Sequence, residues 1–295
     1  MDLMANWLLS VPAFAVPFAL AALGLIVTEK AGVLNLGAEG FMLAGAVAGV
    51  GMMLAGAGPM VALLGSILAG TLLGLLFAIM VAGLRIDHVI AGLALVFMAH
   101  ALTSYIATVN RWTNQSIEGL EPVLFGQDLF VFLTPLIVLG VVYLLEKTRF
   151  GLAIRAVGEN PGAADAAGID STMYRYAATL LGAALLGLAG GYLTVAVTRI
   201  WVDGVVGGRG WIAIALVIFA RWYPWRALFG AVLFGAIEAL IPRVAAAGVD
   251  VPRYFLQMTP YLATLGVMVW TAARGADPWA QPAALGRHHV REDRT

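Results

Sequence analysis

Asn35 and Glu39 stand four residues apart, so on a helix their carboxamide and carboxylate share one face. The run they open into, Phe41 to Leu54, holds no charged residue. A carboxylate beside so apolar a stretch is costly in lipid and must face a cavity or find a partner. Two chemistries fit. Glu39 and Asn35 can hydrogen-bond a polar solute, or Glu39 can make a structural hydrogen bond between helices while Gly32, Gly37 and Gly40 permit close packing. A second polar, glycine-rich turn, Asp203, Gly204, Gly207, Gly208, Arg209 and Gly210, precedes the short apolar run Trp211 to Ala220. Paired interrupted segments of this kind point to a site near the middle of a membrane. The candidate path is thus Asn35, Gly37, Glu39, Gly207 and Gly208, with Phe41, Met42, Trp211 and Phe219 supplying apolar surface.

Few other side chains offer chemistry. Glu238 has Arg243 five residues on, which reads as a structural pair at the outer surface. His100 is the one histidine well inside an apolar run and reads as a packed core residue, since a lone imidazole lacks the company a metal requires. There is no cysteine, which removes disulfides and thiol chemistry. His-Glu-x-x-His, Gly-x-Ser-x-Gly and paired aspartates in facing spans are all missing, so an intramembrane enzyme is disfavoured. The only lysines are Lys30 and Lys147. Thr148 follows Lys147, but Val141 and Glu146 occupy the glycine positions of a phosphate-binding loop. Nucleotide-driven work would have to come from a partner, and the alternative is a carrier coupled to protons or sodium through Glu39 or Glu238.

The elements that position these groups are written in the hydropathy. Hydrophobic residues make up 61% of the chain, mean hydropathy is +0.91, and Met60 to Leu84 carries no charge. About 20 apolar residues span a bilayer. Further spans are expected at Trp7 to Val27, Leu34 to Leu54, Val89 to Val109, Leu129 to Leu145, Tyr176 to Val197, Trp211 to Ala220, Ala227 to Ile241 and Phe255 to Ala273. All should be helical, because lipid leaves exposed backbone amides unsatisfied and the runs lack barrel alternation. The fold class is therefore all-α, a polytopic bundle of about 8–10 spanning or half-spanning helices. It forms one domain over 1–295, with two interrupted segments, a loop at 149–170 and a tail at 274–295. The first span has no basic region before it and reads as retained. Placing the 149–170 loop in the cytoplasm leaves Arg111, Arg199, Arg209, Arg243 and Arg253 outside and the other twelve of 17 basic residues inside, with the C-terminus. Trp222, Tyr223 and Trp225, between Arg221 and Arg226, read as an interfacial aromatic belt.

The loop Arg149 to Asp170 is a polar island in this chain. Phe150, Leu152, Ile154 and Val157 set an amphipathic helix, Gly158 and Pro161 break it, and Ala163, Ala164, Ala166 and Ala167 form a small-residue surface. That surface suits a tight seat in another protein's groove, and an ordinary interfacial helix on lipid headgroups is the alternative. The pattern Phe150-Gly-Leu-Ala-Ile-Arg155-Ala-Val-Gly158-Glu159-Asn160-Pro-Gly-Ala163-Ala164-Asp-Ala-Ala-Gly168-Ile169 resembles the coupling loop of permeases from the ABC importer family that handles branched-chain amino acids, ribose-type sugars and nucleosides. Glu29 to Gly40 and Gly207 to Trp222 resemble its nucleoside-type branch, and the resemblance runs from about Thr28 to Ala273.

The resemblance implies a permease in the bacterial cytoplasmic membrane that binds no cofactor or metal itself. ATP and magnesium would sit on two cytoplasmic ATPase subunits. A second, related permease and an extracytoplasmic binding lipoprotein would complete the assembly, which has no use for nucleic acid. It further implies that Phe150, Arg155, Gly158, Glu159, Asn160, Ala163, Ala164 and Gly168 meet the ATPase, and that the cargo is a nucleoside or related heterocycle. Simple sugars and flavin-like molecules are the alternatives within the family.

Overall fold

The computed structural model describes residues 3–246, 258, 261, 262, 265, 266, 269 and 281–287. The expected span Phe255 to Ala273 lies largely outside the described residues. Among the described residues ten α-helices follow one another: α1 Leu3–Lys30, α2 Ala38–Leu54, α3 Pro59–Ala78, α4 His88–Val109, α5 Leu129–Lys147, α6 Arg149–Glu159, α7 Pro161–Ala166, α8 Ser171–Tyr192, α9 Arg209–Ala220 and α10 Pro224–Ala246. Short π-helical segments extend α3 through Ile79–Gly83 and α8 through Leu193–Thr198. The described residues contain isolated bridges but no strand. Among the described residues six helices are long and apolar enough to cross a membrane, and α2 and α9 are shorter apolar helices, as an all-α polytopic bundle requires.

Helix α8 is the hub, because its glycines let three other helices reach backbone contact. A Cβ on Gly190 would lie 1.8 Å from the Met42 carbonyl oxygen of α2. One on Gly187 would lie 2.4 Å from the Ser66 carbonyl oxygen of α3, and one on Gly182 2.4 Å from the Gly24 carbonyl oxygen of α1. Small residues at these crossings substitute close packing for a hydrophobic driving force that lipid does not supply. Helix starts are set by polar residues in the connections. Asp87, Asp128, Thr148, Asn160 and Asp170 each accept a hydrogen bond from the first turn of the helix that follows. Asp128 also accepts from the Tyr192 hydroxyl at 2.6 Å, tying α5 to α8.

The two ends of the bundle are distinct. Lys30, which ends α1, and Gly32 just after it lie against Gly158 of α6, and the Leu34 N–H donates to Nδ1 of His88 at the start of α4. At the opposite end Asn114 donates to the Trp201 carbonyl, and Arg199 reaches the carbonyl of Leu120. Arg209, assigned to the outer surface from the sequence, belongs to neither end. It begins the 12-residue α9, which starts within the bundle and runs toward the α6 end.

Candidate functional site: two half-helices and an amphipathic helix

Helices α2 and α9 begin beside each other inside the bundle. Gly40 of α2 packs on Leu95, Val96 and Ala99, midway along α4, while Gly204 lies beside His100 one turn further on. The backbones touch: a Cβ on Gly210 would stand 2.4 Å from the Glu39 amide nitrogen. Gly207 and Gly208 hold φ of +59° and +86°, the left-handed region that glycine enters without strain. That turn aims the first amides of α9 at Glu39. Gly208 N–H donates to Oε1 at 2.8 Å and Gly210 N–H to Oε2 at 2.7 Å. Glu39 is therefore an N-terminal cap supplied by another helix, an anion on the positive end of the α9 dipole. Asn35 organises the other half, its Oδ1 accepting from Gly37 N–H at 2.9 Å. Its Nδ2 is buried with no hydrogen-bond partner among the described residues.

Several sequence expectations are corrected here. Phe41 and Met42 offer no surface to a solute: both are fully buried, Phe41 edge-on to Phe77 and Met42 under Gly190. Trp211 is partly exposed and Phe219 is half-buried beside Gly230. His100 is exposed beside the Gly204 turn, not packed in the core. Glu238 pairs with Arg209 at 2.6 Å, while Arg243 instead donates to the carbonyls of Ala239 and Asn6. Sequence proximity favoured Arg243, but the depth at which α9 starts puts Arg209 opposite Glu238. Trp222 leaves the aromatic belt altogether. It is buried and donates from Nε1 to Glu29 at 2.6 Å, in a turn where Arg221 and Trp222 both hold positive φ. Exposed Tyr223 and Trp225 remain, with the Arg226 guanidinium 4.6 Å from the Tyr223 ring centre. The Glu29–Trp222 bond was missed from the sequence, and the adjacent acid and base Glu29-Lys30 at a span's end was the signal available. No three His, Cys, Asp or Glu side chains gather as metal ligands among the described residues.

At the far end of α1, the amphipathic α6 turns one face inward. Gly151, Ala153, Ile154, Val157 and Gly158 are buried, and Phe150 stacks on Tyr174 with ring centres 5.5 Å apart. Arg155 is half-buried. A Cβ on Gly158 would lie 2.1 Å from the Lys30 carbonyl oxygen, so α6 rests on the turn that leads into α2. Asn160 caps α7 through Ala163 N–H. Within the small-residue surface Ala164 faces inward, whereas Ala163, Ala166, Ala167 and Gly168 face outward with Leu152, Glu159, Asn160 and Met173. A segment of the tail fastens the joint. Ala284 N–H donates to the Gly158 carbonyl at 2.9 Å, Gly286 N–H to the Gly32 carbonyl at 3.0 Å, and Ala283 N–H to the Glu159 carboxylate at 3.3 Å.

The family described as branched-chain amino acid transport system, permease component, matches residues 7–269. Among similar proteins is TsgC13 of Haloferax volcanii, provisionally named a glucose ABC transporter permease. It is 34% identical, covering 92% of this chain and 94% of that one. The nucleoside ABC transporter permease NupC of Lactococcus lactis is 32% identical, with 90% and 92% covered. The guanosine ABC transporter permease NupQ of Bacillus subtilis is 31% identical, with 95% and 97% covered. With six apolar spans, two half-helices meeting inside the bundle and a match over nearly its whole length, the chain belongs to this family of ABC transporter permeases.

Proposed function

We propose that this chain is the membrane permease of an ATP-driven importer of nucleosides or related heterocycles, moving its cargo by alternating access. The observation that carries the reading is the α2–α9 junction, where two half-helices start inside the bundle and Glu39 holds them together. Such junctions change shape when helices rock as rigid bodies, exposing the same interior to alternate sides. The nucleoside and guanosine permeases among its relatives support the cargo. Asn35, Glu39, Gly207, Gly208 and Trp211 border the path in this reading, with Glu39 shaping it through the cap. The 34% identical relative named for glucose favours a second reading, import of a simple sugar.

The α6 end is cytoplasmic in this proposal, consistent with the excess of basic residues placed there. A second permease, cytoplasmic ATPases carrying ATP and magnesium, and an extracytoplasmic binding lipoprotein are its partners. Leu152, Ala163, Ala167 and Met173 present an outward, apolar and small-residue face for the ATPase. Proteoliposomes holding the assembled complex test the reading. Guanosine uptake should need ATP inside and persist when ion gradients are collapsed; uptake that follows the gradient and ignores ATP would refute it. Uptake of glucose with no guanosine uptake would transfer the assignment to the second reading. Ala163→Arg, on an exposed surface, should preserve folded yield and lower ATP-dependent uptake at least about tenfold, the scale of one lost hot-spot contact. Unchanged uptake would remove this face from the docking surface.

A further inference from the structure

A cavity of about 430 Å³ lies beside the start of α9, bounded by Arg209, Glu238, Tyr261, Ile212, Ile241 and Val202 among others. Its size falls within the ~300–1,000 Å³ of small-molecule sites. Glu238 is 14 residues into α10, about 21 Å along the helix axis from its start, and so lies well within the span. An ionisable group at that depth needs a partner, and Arg209 supplies only half of one. Arg209 Nε and Nη2 both donate to Glu238 Oε2, at 3.2 and 2.6 Å, while Nη1 donates to the carbonyls of Val205 and Val206. The guanidinium is thereby committed to protein acceptors. Glu238 Oε1 accepts no hydrogen bond among the described residues. The pair is neutral as a unit, so the cavity favours an uncharged guest. Its strongest free group is a carboxylate oxygen that takes hydrogen bonds from donors. The Tyr261 hydroxyl adds a second polar group beside Gly208, 3.2 Å from where a Cβ would stand. Ile212, Ile241 and Val202 offer the apolar walls against which a ring can lie.

We propose that this cavity is a binding station for the vicinal hydroxyls of a sugar ring, with Glu238 Oε1 accepting from one hydroxyl and Tyr261 engaging its neighbour. The inference rests on the importer reading but not on which cargo is right, because a ribosyl group and a free hexose both present vicinal hydroxyls, cis on the ribose and trans around the glucose ring. That chemistry is shared by the nucleoside and glucose permeases among the relatives. A carboxylate–hydroxyl hydrogen bond is about twice as strong as its neutral counterpart, so exchanging the charge for an amide is read as a change in selectivity. It differs from a plain brace between α9 and α10, which would govern folded yield alone.

The test uses the assembled complex in proteoliposomes with its binding protein, comparing guanosine with 2′-deoxyguanosine and glucose with 2-deoxyglucose. In the unaltered protein the fully hydroxylated member of the transported pair should be favoured. Glu238→Gln should reduce its uptake on the order of tenfold while changing the deoxy analogue little, so the ratio between them collapses toward one. The binding protein is the same in both measurements, so the change in ratio belongs to this chain. A Glu238→Gln complex that keeps the ratio overturns the proposal. If that variant does not assemble, Tyr261→Phe decides: a reduced ratio supports the station, and an unchanged one overturns it. Transport of the glucose pair alone would refute nucleoside import, yet the same ratio would still judge Glu238.

Discussion

Replacing Glu39 by alanine is expected to lower the yield of folded, membrane-inserted protein at least about tenfold, a difference of ~1.4 kcal/mol. The two N–H groups that begin α9 lose the one acceptor each has among the described residues. Hydrogen bonds to a charged group contribute about 1.5–3 kcal/mol each, so the loss of two exceeds that threshold. Helix α9 is only 12 residues long and has no propensity surplus with which to absorb the loss. Glu39→Gln should fall between: the amide oxygen retains one donor, but the NH₂ group turns toward the other N–H. Monodisperse yield in detergent and thermal unfolding of the extracted protein measure the effect. Full yield for Glu39→Ala, with a shift confined to substrate affinity, would refute the capping role and return Glu39 to direct substrate contact. The matched outcome for Glu238 is the reverse, retained yield with altered selectivity, so the two intramembrane carboxylates are separable by experiment.

The spans, the two interrupted segments and the amphipathic α6 were legible because each is a local pattern. Apolar length reports a span, and glycine beside a polar residue reports a break. Partnerships across the bundle were not legible. Glu39 meets residues 169 and 171 positions away, and nothing near it in the chain announces Gly208 or Gly210. Glu238 was matched to Arg243 because the two are close in sequence, yet the half-helix geometry of α9 delivers Arg209 to it. His100 was read as core because its neighbours are apolar, but the glycine turn at Gly204 opens the space in front of it. The orientation of α6 was partly readable. Gly151, Ile154 and Gly158 recur at helical spacing, which puts Gly158 on the apolar side and therefore against the bundle. Its glycines read as a helix break toward a partner, whereas they mark where the helix rests on its own chain.

That resting contact sets the second large effect, the replacement of Gly158 by valine. The atoms a Cβ would meet are backbone: the Lys30 carbonyl oxygen at 2.1 Å, its carbon at 2.9 Å and the Gly32 nitrogen at 3.2 Å. None can rotate away as a side-chain tip would, so α6 must lift from the α1–α2 turn. Lifting it strains the bonds from Ala284 to Gly158 and from Gly286 to Gly32, which bridge the same joint. Overpacking costs about 1–3 kcal/mol where side chains adjust, and more where backbone must move. The consequence reaches function because the turn under α6 continues directly into Asn35 and Glu39. A complex with Gly158→Val should hydrolyse more ATP per substrate moved, by about fivefold or more if the joint loses ~1 kcal/mol or more of coupling. Gly140→Ala, on α5 and away from this joint, provides the comparison, since nothing lies within 4 Å of its Cβ position. That change replaces glycine by a better helix former and should leave the ratio near its original value. The measurement is simultaneous ATP turnover and uptake in proteoliposomes, normalised to folded permease. Equal ratios for the two variants would show that the joint under Gly158 supports the fold without transmitting motion to the half-helices.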